Sequence, residues 1–151
     1  MDKVAANPIQ MARNMRHKTQ EELAELMYVS TDTVQAWERG TRIPDPKTLD
    51  TLSEKLDCPW LSLIYLRDRS ASMARILPDF TVGRPLPEAA AAYISSVMDL
   101  VDIRFDRRLL RMMADGRIDE LEAQDYAEIM EASTCMIKAY FDLLFAAERK
   151  E

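Results

Sequence analysis

Thr19-Gln20-Glu21-Glu22-Leu23-Ala24-Glu25-Leu26, then Tyr28-Val29-Ser30, then Thr31-Asp32-Thr33-Val34-Gln35-Ala36-Trp37-Glu38-Arg39-Gly40, is the stretch on which the reading of this 151-residue chain turns. Thr19 and Glu22 have the spacing of a capping box, in which each side chain satisfies the other residue's backbone N–H. The helix they start is expected to run to about Met27, with Leu23, Ala24 and Met27 inward. Ser30 is a good N-cap for a following helix, and Gly40 suits the left-handed residue that closes it. Two helices that cross steeply need a small residue where their backbones meet, and Ala24 stands there. Val29 and Val34 are placed to plug the corner, and Trp37 continues the buried face three residues on. Thr31, Asp32, Gln35, Ala36 and Arg39 then fall on the outer face.

Helical signals continue on both sides of this pair. Ile9–Arg16 is a short amphipathic segment. Asp45-Pro46 is an N-cap followed by proline at the first helical position, which predicts a helix through about Leu56. Cys58-Pro59-Trp60 starts a fifth helix containing Leu61, Leu63, Ile64 and Leu66. Beyond it, Pro78, Pro85 and Pro87 crowd together with Gly83, and proline cannot continue a helix interior. Residues 78–87 therefore read as an extended linker between a first domain, 1–77, and a second, 88–151. The second reads as two long helices. Glu88–Ala114 carries Ile94, Val97, Val101, Phe105, Leu109 and Met112 at spacings of three and four. Leu121–Glu148 carries Tyr126, Ile129, Met130, Ile137, Tyr140, Phe141 and Leu144. Between them Gly116 suits a left-handed closing residue, and Asp119 with Glu122 forms a capping arrangement. The expectation is an antiparallel helical hairpin with arms about 40 Å long at 1.5 Å per residue.

The first half resembles the Xre/Cro-like helix-turn-helix domains of phage and bacterial repressors. The resemblance rests on Thr19-Gln20-Glu21-Glu22-Leu23-Ala24-Glu25-Leu26, Val29-Ser30 and Thr33-Val34-Gln35-Ala36-Trp37-Glu38-Arg39-Gly40, continued by Arg42, Pro44, Leu49, Leu52 and Leu56. It covers residues 9–66, under half the chain. It implies a five-helix, lambda-repressor-like domain that binds double-stranded DNA, with the outer face of Thr31–Arg39 in the major groove. By the same resemblance Gln20 bonds a phosphate and braces the recognition helix, and Thr31 and Asp32 read bases. Thr33 touches phosphate, and Ala36, beside Gln35, meets a thymine methyl. Arg39 and Arg42 anchor phosphates. Arg13 pairs with Glu38 as a structural ion pair. Two residues depart from the pattern. Tyr28 stands where the family often has glycine, so it must avoid or tolerate positive φ. Asp32 is repelled by phosphate and suits a cytosine amino group rather than guanine.

Composition excludes other classes. There is one histidine, His17, and the two cysteines, Cys58 and Cys135, are far apart, so no metal site or cofactor is expected. Both cysteines read as small buried residues in a reducing cytosol, hence a cytoplasmic protein. Uncharged stretches reach only about a dozen residues, short of the ~20 that cross a membrane. No catalytic constellation surrounds His17, so an enzyme is not expected. Residues 111–122 resemble half of a calcium loop, but Arg111 and Met113 stand where oxygen ligands belong. The net charge of −6 is unevenly spread, with −1 over residues 1–70 and −5 over 71–151. Nonspecific DNA affinity should be modest and sharply salt-dependent. Arg104, Arg107, Arg108 and Arg111, interleaved with Asp102 and Asp106, read as a solvated helix face.

The hairpin is apolar around more than one face, and that surface needs a partner. A second copy supplies one, through Ile94, Val97, Val101, Phe105, Ile137, Phe141 and Leu144, as a four-helix bundle. Folding back on the first domain is the alternative. The expectation is an all-α, sequence-specific transcriptional regulator: a repressor that binds an inverted-repeat operator as a homodimer through residues 88–148. The rival is an antitoxin or phage-derived adaptor whose hairpin binds a protein partner.

Overall fold

The structure is a computed structural model that describes residues 7–113 and 116–147. Among these residues the fold is all-α, and the chain divides into two compact units at Ile76 and Leu77.

The first unit holds α1 (Pro8–Met15), α2 (Gln20–Met27), α3 (Thr31–Glu38), α4 (Pro46–Lys55), α5 (Trp60–Arg69) and α6 (Ala71–Ile76). Side chains set most of the starts. The Asn7 carboxamide oxygen accepts from Ile9 N at 2.9 Å, with Pro8 opening the helix. Thr19 Oγ1 accepts from Glu22 N at 3.1 Å while Glu22 Oε2 accepts from Thr19 N at 2.7 Å. Ser30 Oγ accepts from Thr33 N at 3.2 Å. Asp45 accepts from both the backbone and the hydroxyl of Thr48, bonds that hold its carboxyl below the ordinary range. Each cap satisfies a first-turn donor that the helix itself leaves unpaired. Ile9, Leu23, Val34, Leu52, Leu56 and Leu61 are fully or almost fully buried together. Such burial is worth about 1.5–3 kcal/mol per large side chain. Arg16 ties the end of α1 to the corner between α4 and α5, donating to Leu56 O at 2.6 Å and to Asp57 Oδ2 at 2.8 Å. The short α6, packed on α5, has no counterpart in the sequence reading.

The second unit holds α7 (Leu86–Asp102), α8 (Phe105–Met112) and α9 (Ala123–Leu144). α7 and α9 run antiparallel: Tyr93 meets Tyr140 with ring centroids 6.4 Å apart, and Arg108 of α8 reaches Glu128 early in α9 at 2.6 Å. The buried seam is Ala89, Ser96 and Leu100 against Ile129, Ala139 and Asp142. Asp119 Oδ1 accepts from Leu121 N and Glu122 N just before α9, and Gly116 has φ +70°. Ala114 and Asp115, part of the same predicted turn, lie outside the described residues, as does the predicted tail of the second arm at Glu148.

The structure corrects three readings. The first arm is not one helix over 88–114: it breaks at Ile103–Arg104, where Arg104 takes φ +56°. The reason is helical phase. At 100° per residue, a straight continuation would put Phe105, Leu109 and Met112 in line with Ile94, Met98 and Val101, which face solvent. The left-handed residue resets the phase, and Met112 becomes buried. The second correction concerns Cys135, which is exposed, whereas Cys58 is buried and its thiol pKa is raised by that burial.

The third concerns residues 78–85, which are not an extended linker: they turn at Val82–Gly83, where Gly83 has φ +75°, and are docked within the second unit. Phe80 is buried with its ring centroid 5.1 Å from that of Phe141 and 5.5 Å from that of Phe145. Thr81 N donates to Asp142 Oδ1 at 2.6 Å, and Arg84 Nη1 to Asp142 Oδ2 at 3.2 Å. Gly83 N donates to Phe145 O and Ala147 N to Arg84 O. Asp142→Ala would leave Thr81 N and Arg84 without their acceptor. A loss of about 2–3 kcal/mol is expected in equilibrium denaturation, with Asp142→Asn losing less. Equal stability of Asp142→Ala and wild type would refute the role given to this carboxylate.

Candidate nucleic-acid interface

α3 buries Val34, Trp37 and Glu38, and carries Thr31, Asp32, Gln35, Ala36 and Arg39 on the opposite, accessible side. Its pose is fixed from behind. Ala24, nearly inaccessible, lets α2 approach, and Val29 N donates to Ala24 O at 3.0 Å across the turn. Val29 itself is only half-buried. Arg13 grips Glu38 with two bonds, Nε to Oε1 at 2.6 Å and Nη2 to Oε2 at 3.1 Å, and also donates to Lys18 O at 2.7 Å. The bonds to Glu38 raise the Arg13 pKa, against the opposing effect of burial. Asn7 Nδ2 donates to Trp37 O at 3.0 Å. The end of α3 is thus held by α1 through charge and by the Asn7 cap through backbone.

The structure places each sequence-predicted residue as follows. Gln20 donates one amide hydrogen to Glu38 Oε2 at 2.7 Å, so it joins the Arg13–Glu38 pair and keeps one free hydrogen. Thr33 Oγ1 lies 2.9 Å from Ser30 Oγ. Arg39 Nη2 donates to Gln35 Oε1 at 3.1 Å, leaving the Gln35 amide nitrogen free to donate outward. Asp32 is exposed in the first turn of α3, a favourable place for a negative charge. Arg42 is exposed, and its backbone N donates to Ala36 O at 3.1 Å. Tyr28 tolerates positive φ rather than avoiding it: it sits at φ +56°, ψ +43°, so the turn keeps the glycine-like geometry. Its exposed ring carries the Lys55 ammonium 4.7 Å from the centroid.

Sequence reasoning missed three residues here. A hollow of about 430 Å³ opens beside α3, with Arg42 and Lys47 as its cations, Asp45 as its carboxylate and the hydroxyls of Ser30, Thr33, Thr48 and Thr51 on its walls. Trp37 also lines it, and the buried Trp37 Nε1 has no hydrogen-bond partner among the described residues. Ser30 reads from sequence only as an N-cap, and Lys47 and Thr48 carry no signal of their own there.

Residues 9–63, just over a third of the chain, match the family described as Helix-turn-helix. The first unit is therefore a helix-turn-helix domain of the kind found in Xre-like and lambda-repressor-like DNA-binding regulators. No curated protein and no solved structure matches the chain. No helix among the described residues is long and apolar enough to cross a membrane.

Proposed function

We propose that this protein is a cytoplasmic transcriptional repressor that binds an inverted-repeat operator as a homodimer. The observation that carries the DNA reading is the accessible face of α3 within a matched helix-turn-helix domain. Thr31, Asp32, Gln35 and Ala36 are available to base edges there, while Arg39, Arg42 and the remaining Gln20 hydrogen flank them toward the backbone. Arg42 and Lys47 outweigh the one carboxylate of the hollow, Asp45, which Thr48 already engages, and this balance suits a phosphate of the adjacent strand.

The second unit supports the dimer. Ile94, Met98 and Val101 on α7 are each more than half exposed, and Met130, Ile137, Tyr140 and Leu144 on α9 are 39–53% exposed. Tyr126, Met130, Ser133, Ile137, Tyr140 and Leu144 alternate at four and three, the spacing of a seam between helices. Both stripes lie about 140° round their helices from the buried seam, in the same sense. Because α7 and α9 are antiparallel, those equal displacements carry both stripes to one side of the hairpin. Together the seven side chains make an apolar stripe that a second hairpin could cover. Of the residues assigned to this surface from sequence, Ile94, Val101, Ile137 and Leu144 lie exposed on it and Val97 is half-buried beside it. Phe105, after the break, is half-buried, and Phe141 is engaged with Phe80. A two-fold dimer would present two recognition helices to two half-sites, and repression would follow from steric exclusion of polymerase.

The test is selection of bound sequences from random duplex DNA at low salt, with light scattering on the same sample. Enrichment of a palindrome by a dimer is expected. A well-folded dimer that enriches nothing would favour the protein-binding adaptor instead. On a selected duplex, Arg39→Ala and Arg42→Ala should each weaken binding to all sequences and reduce the salt slope by about one. Thr31→Ala and Gln35→Ala should change the preferred bases and leave that slope intact. If all four leave binding untouched, the assigned face is wrong.

A further inference from the structure

A second cavity, of about 350 Å³, lies in the first unit between α4 and the latter half of α5. That volume falls within the ~300–1,000 Å³ typical of small-molecule sites. Its walls are apolar, formed by Ile43, Pro44, Pro46, Leu49 and Leu66, and two of them, Ile43 and Leu66, are about half exposed. Four polar residues interrupt them: Ser62, whose hydroxyl pairs with that of Ser53 at 2.8 Å, the exposed Asp50, Tyr65 and Arg69. Tyr65 is only 6% exposed, yet its hydroxyl has no hydrogen-bond partner among the described residues. Arg69, exposed one turn further on, lines the same cavity with its guanidinium 5.1 Å from the Tyr65 ring centroid. Buried hydroxyls nearly always find a partner in folded proteins, so an unpaired one on a cavity wall marks a missing acceptor. Burial raises the Tyr65 phenol above its ordinary value, with Arg69 acting in opposition, so the hydroxyl stays protonated and able to donate at neutral pH.

We propose that this cavity binds a small apolar carboxylate, its hydrocarbon or aromatic body on the proline and leucine walls and its carboxylate accepting from Tyr65 Oη and the Arg69 guanidinium. Arg69 supplies the cation beside the Tyr65 hydroxyl, and the flat geometry of a guanidinium matches a carboxylate; Asp50, on α4, is the one carboxylate on the lining that opposes it, and it is exposed to solvent screening. The apolar walls exclude a small, heavily hydrated anion such as phosphate. The site goes beyond the DNA reading and stands without it. It does adjoin the recognition region, because Ile43 and Pro44 line both this cavity and the hollow beside α3.

The experiment uses the full chain, labelled with nitrogen-15 and titrated without DNA. The probes are 2-naphthoate and its uncharged counterpart 2-naphthalenemethanol. Saturable shifts of the Tyr65, Leu66 and Ile43 amides are expected with naphthoate, and binding of the alcohol should be about tenfold weaker or worse. Arg69→Ala should weaken naphthoate binding by about tenfold and Tyr65→Phe by about threefold to tenfold. Arg69 is exposed and Tyr65→Phe keeps the packed ring, so both variants should fold, and their spectra verify this directly. Absence of saturable shifts would overturn the proposal. So would equal affinity for the acid and the alcohol, or affinity that neither variant changes.

Discussion

Glu38→Ala is expected to destabilise the first unit by about 3 kcal/mol or more, seen as a lower midpoint in urea with little change of slope. Glu38 and Arg13 are almost wholly buried, with side chains only 4% and 11% exposed, so solvent screening weakens the pair little. Removing the carboxylate strands the Arg13 guanidinium with Lys18 O as its remaining acceptor, and leaves the Gln20 amide without its bond. The cost is dominated by the unpaired charge, not by the net worth of the intact pair. Glu38→Gln keeps the shape and one acceptor, so it should lose less. The variant also loosens the end of α3, so DNA affinity should fall even under conditions where the domain remains folded. An unchanged midpoint for Glu38→Ala would remove this network from any account of how α3 is held.

If the proposed dimer forms through the hairpin, Ile94→Asp combined with Ile137→Asp is expected to convert it to a monomer at micromolar concentration, a weakening of association by about a thousandfold or more. Each substitution occurs twice in a two-fold assembly, and each places an unpaired carboxylate where the partner's apolar stripe would cover it. Both positions face solvent in the isolated hairpin, so helix content and the melting of the isolated chain should change little. Sedimentation or light scattering reads the mass directly. Operator affinity should fall along with dimerisation, because one recognition helix covers only one half-site. A double variant that remains dimeric would show that the hairpin associates through another face.

Features controlled within a few residues were legible in the sequence. The caps at Thr19, Ser30 and Asp45 announce three helix starts because each bonds a backbone N–H three residues ahead. The buried and open faces of α3 follow from the period of Val34 and Trp37 against Thr31 and Gln35. Features decided by tertiary phase were not. Ile103-Arg104-Phe105 contains no glycine or proline, and nothing local announces a helix break there; it arises because two apolar stripes must point in different directions. Phe80 reads as one apolar residue in a proline-rich stretch, and its partners, Phe141 and Phe145, are more than sixty residues away. The Gln20–Glu38 bond was hidden for the same reason: the resemblance implies that Gln20 bonds a phosphate and braces the recognition helix, but it names no side chain as its partner. The unsatisfied Tyr65 hydroxyl becomes meaningful only once the walls around it are assembled.

The docked segment before α7 also changes how the second unit should open. Gly83 and Arg84 exchange backbone bonds with Phe145 and Ala147, so the entry and exit strands of the unit are tied to each other. A chain end held only by its own helix frays first and alone. Here the last turn of α9 cannot fray without releasing Phe80 and Thr81. The amide protons of Thr81, Gly83 and Ala147 therefore belong to one cooperative opening and should exchange with solvent together, rather than in order of their distance from the chain end.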